Sequence, residues 1–280
     1  MKRSSALLLL ALTALLWSTS GVLVKFIPWS PAAIASFRGL TAGLTMCLLL
    51  PGGFHPRRLT KRHWLTATCL AALSICFVTA MKMTAAANVT VLQYTAPLWT
   101  GLLAPIWLRE RTSGLDWLLM GVIFLGVTLF FVDGLALGGL AGNALAAASG
   151  LLFGLQAMSL RSIKDSSPAD AVIMGHFLAF LVVLPAWGPP WPPLSGWLAL
   201  IFLGVFQMGL PYCLYALAVP KVSALELLVV PMIEPILCPL WVFLLMDERP
   251  GPWAWAGGLT VIVAVTFWGV LKARAVNRLT

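Results

Sequence analysis

The sequence predicts an all-α membrane protein: ten transmembrane helices in two inverted five-helix repeats. Three observations predict it. Of 280 residues, 60% are hydrophobic and 10% charged, with a mean hydropathy of +0.96, against about 45–50% apolar and about 25% charged in soluble domains. The apolar residues gather into ten stretches close to the length needed to cross a bilayer. A segment of the first half recurs, more elaborately, in the second.

The stretches are 5–27, 31–50, 64–83, 88–108, 115–133, 140–161, 170–187, 196–218, 223–246 and 253–273. A spanning helix needs about 20 predominantly apolar residues, and 170–187 is the shortest of the set. The first follows Lys2 and Arg3 and continues to Ile27. That is too long for a signal-peptide core and lacks a small-residue cleavage site, so it reads as the first span. Connections are short, so neighbours should pack antiparallel.

Charge orients the set. With the N-terminus in the cytoplasm, 14 of the 18 Lys and Arg residues face the cytoplasm, three (Lys25, Lys82, Arg249) face outward, and Arg38 lies within a helix. Such a bias predicts both termini inside. It also accounts for the net charge of +9 without a nucleic-acid partner. Trp29, Trp64, Trp107, Trp117, Trp187, Trp191, Trp197, Trp253 and Trp255 fall near span ends, where an interfacial belt would place them. The five cysteines lie within apolar segments and form no C-x-x-C pair. They read as small buried side chains rather than as metal or redox groups.

The recurring segment is Asn88–Arg111 and, 138 residues later, the stretch ending at Arg249. Pro97 precedes Glu110 by 13 residues and Pro235 precedes Glu248 by 13; Arg111 and Arg249 follow at once, and Trp117 and Trp255 come seven residues after each Glu. The halves are 1–138 and 139–280. Each holds five spans, an odd number, so the second half enters the membrane from the opposite side. Inverted repeats around a midplane site are an architecture of secondary transporters.

The ninth stretch carries the most unusual residue. Glu234 lies 11 residues into it, about 16 Å along a helix rising about 1.5 Å per residue. Pro235 follows directly, with Pro231 and Pro239 one turn to either side. Each proline frees a carbonyl one turn back. A carboxyl beside interrupted backbone at mid-membrane depth is costly and marks a functional site by default. It can meet substrate or carry a proton; its structural alternative is a protonated Glu bonded to the freed carbonyls.

Four stretches together resemble the EamA-type branch of the drug/metabolite transporter superfamily: LLWSTSGVLVK (Leu15–Lys25), SFRGLTAGL (Ser36–Leu44), APLWTGLLAPIWLRER (Ala96–Arg111) and SALELLVVPMIEPILCPLWVFLLMDERP (Ser223–Pro250). Asp247 stands where that family usually has Gly. The resemblance covers nearly the whole chain. It implies a transporter of small metabolites, often an exporter of amino acids or related compounds. It also implies a central cavity lined by spans 1, 3 and 4 and their mates 6, 8 and 9, with proton coupling or facilitated transport both open.

Within that frame, Trp17 and Ser20 of span 1 align with Phe153 and Gln156 of span 6, each an aromatic and a polar residue three apart. They read equally as cavity lining or as interhelical contacts. Gln93, Tyr94, Tyr212 and Tyr215 belong to the same candidate group. The substrate-binding set is therefore Trp17, Ser20, Gln93, Tyr94, Phe153, Gln156, Tyr212 and Glu234. Arg38, about 10 Å inside its helix, must pair or face water; a substrate anion and a structural partner are equally open. Lys25 can snorkel to the surface. Ser223-x-x-Glu226 reads as a capping box. Glu110 and Glu248 read as ion pairs organising loops beside Arg111 and Arg249, and the lone His176 as a packing residue.

No nucleophile–base pair, metal-ligand cluster or nucleotide loop is visible, so neither an enzyme nor a cofactor is expected. The expected function is secondary transport of small polar or amphipathic, amino-acid-like metabolites, outward and by alternating access, in the inner membrane. A lipid-linked substrate flippase and an intramembrane enzyme are the alternatives. Expected partners are the bilayer, a small-molecule substrate and, for a coupled carrier, protons; monomer and homodimer are both open.

Overall fold

Hydroxyl side chains and prolines cut several expected spans into shorter pieces. The computed structural model describes residues 1–50, 53–56, 59–84, 86–110, 112–130, 132, 139–234, 237 and 252–277. The first expected span is two helices, α1 (Arg3–Trp17) and α2 (Ser20–Phe26). At the break, Ser18 Oγ donates to the Leu15 carbonyl at 2.6 Å and Thr19 Oγ1 to the Leu16 carbonyl at 2.8 Å. Side chains that take backbone acceptors offer the chain an alternative to the helix ladder.

The second and third spans are continuous: α3 (Pro31–Leu49), capped by Ser30 and begun with Pro, and α4 (Lys61–Met83). The fourth is again divided, into α5 (Ala86–Gln93) and α6 (Ala96–Trp107). Thr95 Oγ1 donates to the Leu92 carbonyl at 2.7 Å there, and Pro97 stands in the first turn of α6. Then come α7 (Gly114–Phe130), α8 (Leu140–Ser162) and α9 (Pro168–Val183), which a single tight turn extends to Ala186. The eighth span is α10 (Leu194–Gly204), a wide π-type turn at Val205–Gly209, and α11 (Leu210–Ala218). The ninth begins as α12 (Glu226–Val229) and tightens into a 3-10 turn over Val230–Ile233, where Pro231 has no N–H to give. The last helix is α13 (Pro252–Asn277).

Among the described residues, five helices are long and apolar enough to cross a membrane: Pro31–Leu49, Lys61–Met83, Leu140–Ser162, Pro168–Ala186 and Leu194–Lys221. Spans 1 and 4 are each two helices, span 8 carries a π turn within one run of helix, and span 9 tightens at Pro231, beside the prolines where interrupted backbone is expected. Pro235, Pro239, Cys238, Asp247, the Glu248–Arg249 pair, Arg57, Arg58, Arg111 and Arg278 lie outside the described residues.

The principal packing joins the two halves. The helix α4 runs along α8 and α9, α3 along α9, α1 along α11, α5 and α6 along α8, and α7 along α13. Polar side chains bridge these contacts: Ser36 Oγ donates to the Phe180 carbonyl at 2.9 Å, Thr13 Oγ1 to the Pro211 carbonyl at 3.2 Å, and Thr66 and Ser159 hydroxyls meet at 2.7 Å. Close approach is set by glycine. A Cβ at Gly39 would sit 2.6 Å from the His176 carbonyl, and one at Gly150 would sit 2.6 Å from the Leu92 carbonyl at the α5–α6 break. Small residues at helix crossings are what lipid-embedded packing requires, since tails and side chains are equally apolar.

Two local devices match or exceed expectation. Ser223 and Glu226 form the reciprocal cap: the Ser223 N–H donates to Glu226 Oε2 at 2.7 Å and the Glu226 N–H to Ser223 Oγ at 3.2 Å. Asp116 caps α7 through the Ser113 N–H and accepts from Trp268 Nε1 at 2.8 Å, which ties α13 to α7. Trp29 lies between α2 and α3, buried among Trp187, Trp191 and Trp197 at ring separations of 5.6, 5.8 and 5.4 Å, and donates to the Gly188 carbonyl.

Candidate functional site

The interrupted spans meet around a cavity of about 50 Å³. The α1–α2 break supplies Trp17 and Ser20, the end of α5 supplies Gln93, the π turn supplies Gln207 and Met208, and the 3-10 turn delivers Glu234. Arg38 comes from α3, Ser74 and Phe77 from α4, Phe153 from α8 and Tyr212 from α11. Irregular backbone at membrane depth is tolerated where it lines a polar cavity, and that is where these breaks are. The π turn belongs to the same logic, since such insertions gather at functional sites.

One wall is aromatic. Trp17 lies 5.2 Å from Tyr212, 5.5 Å from Tyr215 and 6.0 Å from Phe153, ring to ring. Another wall carries a cation. Arg38 is only 2% exposed; its Nη2 donates to Ser74 Oγ at 3.1 Å and its Nη1 to Gln207 Oε1 at 3.5 Å, with the Phe77 ring 5.9 Å away. Gln207 in turn donates to the Trp17 carbonyl at 3.5 Å, next to the helix break. Glu234 supplies the carboxylate, and Tyr94 Oη donates to its Oε2 at 2.6 Å. No ion pair joins Arg38 to Glu234, and the ion pairs among the described residues are Arg3–Glu226, His55–Asp170 and Arg161–Glu110.

Six of the eight sequence candidates border this cavity: Trp17, Ser20, Gln93, Phe153, Tyr212 and Glu234. Tyr94 stands behind it and orients Glu234. Gln156 is the departure. It is fully buried and outside the lining, and neither amide atom has a hydrogen-bond partner among the described residues. Three residues along an α-helix turn about 300°, a net offset of about 60°, and Gln156 lies in the packing of α8 beside the cavity face occupied by Phe153. Tyr215 also lies outside the lining, and its hydroxyl is without a partner among the described residues. His176 sits edge-on to Tyr212 at 4.9 Å with Nε2 unpartnered, so it is a less satisfied packing residue than expected.

Arg38, Ser74, Phe77 and Gln207 complete the site and were outside the candidate set. A signal for Arg38 was available: the 138-residue offset carries it onto His176, and α3 crosses α9 there. Span 2 therefore contributes to the cavity, which the family resemblance had not implied. Ser74 and Phe77 have no comparable signal. Gln207 had one, as the lone amide of its span between Gly204 and Gly209.

At one end of the molecule, Glu110 pairs with Arg161, across from one half of the chain to the other. Arg161 Nε donates to Glu110 Oε1 at 2.9 Å and Nη1 to the Val219 carbonyl at 3.1 Å, while Glu110 Oε2 accepts from the Ala224 N–H at 3.1 Å. Arg3 reaches Glu226 beside them. No cluster of three or more metal-ligating side chains occurs among the described residues.

Helices interrupted around a buried polar cavity, in two matching halves, define a membrane transporter. The chain belongs to the EamA-like transporter family, whose profile matches residues 4–132 and again 140–269, and so to the drug/metabolite transporter superfamily. A solved structure titled "Crystal structure of protein" has the same fold, with a TM-score of 0.81 at 18% identity over 98% of this chain and 99% of that one. No curated protein matches the sequence.

Proposed function

We propose that the protein is a secondary transporter of the inner membrane that exports small amphipathic, amino-acid-like metabolites by alternating access between two inverted repeats, 1–138 and 139–280, with both termini in the cytoplasm. The observation that carries this reading is Glu234: a carboxyl on a cavity wall, delivered by interrupted backbone and held by the Tyr94 phenol. A carboxyl in that position can hold a proton in one state and an amino group in the next. Proton and substrate then compete for one group, which is the simplest basis for exchange. The aromatic wall of Trp17, Phe153 and Tyr212 suits the apolar part of the cargo.

The test is counterflow in proteoliposomes with a metabolite library, with and without a pH gradient. Wild-type protein should exchange amphipathic amino compounds and concentrate them when a proton gradient is imposed. A protein that exchanges nothing in the library, or that handles only lipid-linked compounds, would overturn the reading. Orientation is checked separately: in a cysteine-free background, a single cysteine at position 249 should label from outside.

A further inference from the structure

We infer that Arg38 is the specificity-determining residue for an anionic group on the cargo, so that the site takes a zwitterion, with its acid group on Arg38 and its ammonium group on Glu234. The inference rests on the transport reading and names the substrate chemistry of that same cavity.

Arg38 is a cation in the interior with no anion beside it among the described residues. Its hydrogen-bond partners are the Ser74 hydroxyl at 3.1 Å and the Gln207 amide at 3.5 Å, and its Nε has none among the described residues. A guanidinium offers five donors in a rigid fork suited to bidentate binding of a carboxylate. Here one is well used, one is at the limit of hydrogen-bond distance, and the buried Nε has no partner among the described residues, on a residue that lines the cavity. A buried charge of this kind is tolerable only when paired or solvated.

Among the described residues, the surrounding helices offer no internal counter-ion. Neither Asp nor Glu occurs on α3, α4, α10 or α11, and the Asp170 on α9 accepts from the His55 N–H at 3.0 Å. The titratable neighbours facing Arg38 are His176 on α9 and Tyr212 on α11, and neither is an acid strong enough to neutralise it. Glu234 is the one acid in the lining, and it is not within ion-pair distance. A cation and a carboxylate that face the same space without meeting are complementary to a molecule carrying both opposite charges. The aromatic wall lies in that same space. The cargo that matches all three walls is an α-amino acid with an apolar or aromatic side chain.

Calorimetric titration of the purified full chain in nanodiscs tests this. The probes are alanine, leucine, phenylalanine and tryptophan, each with its amide, which removes the anion, and its N-acetyl form, which removes the cation. The wild type should bind at least one free amino acid about tenfold or more tightly than its amide. Arg38→Gln should erase the preference for acid over amide while retaining affinity for the amide. Arg38→Lys should restore part of it, and Glu234→Gln should erase the preference for free over acetylated amine instead. A residue with only a structural role would lower all affinities together and leave these ratios unchanged. If Arg38→Gln does not fold, the wild-type ratios alone decide. Equal affinity for acid and amide, or binding of none of the zwitterions, overturns the inference. Counterflow of some other metabolite in that case would leave the transport reading standing. Zwitterion binding that depends on Arg38 without any counterflow would do the reverse.

Discussion

Charges at one end of this molecule and charges in its middle are treated in opposite ways. At the end, Glu110 meets Arg161 and the Ala224 N–H, and Glu226 meets Arg3 and the Ser223 N–H. Both acids are matched by an opposite charge and a backbone donor, and both ion pairs cross from one half of the chain to the other. In the middle, Arg38 and Glu234 have neutral hydrogen-bond partners only: a serine, a glutamine and a tyrosine. The difference separates charges that hold the halves together from charges that the proposed site leaves open to a ligand. Their distance from the membrane surface reinforces it, because an unmatched charge costs far more at depth than near water.

The largest expected effect breaks the middle without touching the end. Glu234→Gln keeps the shape of the side chain and can still accept from Tyr94. It should therefore unfold at the same temperature as wild type, yet lose the effect of a pH gradient on transport. Gradient-driven uptake in liposomes measures this, and a Gln variant that still concentrates substrate would show that the coupling group lies elsewhere. Replacing the end pair should do the converse. Arg161→Ala removes a link to Glu110 and another to the Val219 carbonyl. With the two side chains 15% and 29% exposed, we expect a loss of about 1 kcal/mol in stability and unchanged ligand affinity. A double-mutant cycle with Glu110→Ala should show the two losses to be non-additive.

The contrast was partly legible in the sequence. Glu234 announced itself through depth and the prolines around it, and Glu226 through its capping-box spacing. The site-lining pattern of Trp17, Ser20 and Phe153 was visible as matched positions of a repeat. The Glu110–Arg161 pair was not, because the two lie 51 residues apart and nothing in their spacing links them. The breaks in spans 1 and 4 were also missed, unlike the interrupted backbone around Glu234. The Ser-Thr pair at 18–19 bonds the Leu15 and Leu16 carbonyls and stops the helix. Ser74 and Phe77 look like any residue of an apolar helix, and only the crossing of α4 beneath Arg38 gives them a role.

A smaller effect is expected at the second end pair. Arg3 is more exposed than Arg161, at 23%, and Glu226 keeps its bond from the Ser223 N–H when Arg3 is lost. Arg3→Ala should cost about 0.5 kcal/mol. Raising the salt to about 1 M, where the Debye length is about 3 Å, should shrink the gap between variant and wild type. A loss as large as that of Arg161→Ala, insensitive to salt, would mean that Arg3 holds α1 by more than charge.

The smallest expected effect concerns Gln156, the polar residue that the repeat pairs with Ser20 and the structure sets aside. Its amide is fully buried, outside the cavity lining, and without a hydrogen-bond partner among the described residues. A buried amide left unsatisfied costs about 1–3 kcal/mol relative to an apolar group of the same shape. Gln156→Met preserves length and volume and removes that cost. Thermal unfolding should stay where it is or move upward, and counterflow should remain within about twofold of wild type, a difference of about 0.4 kcal/mol on the scale where tenfold is about 1.4. If the variant folds as well as wild type and transports an order of magnitude less, Gln156 faces the cavity in another state of the cycle. The middle region would then hold three polar groups for the ligand, one of them turned away in this conformation, and the pairing of Ser20 with Gln156 would describe two positions that exchange roles as the halves move.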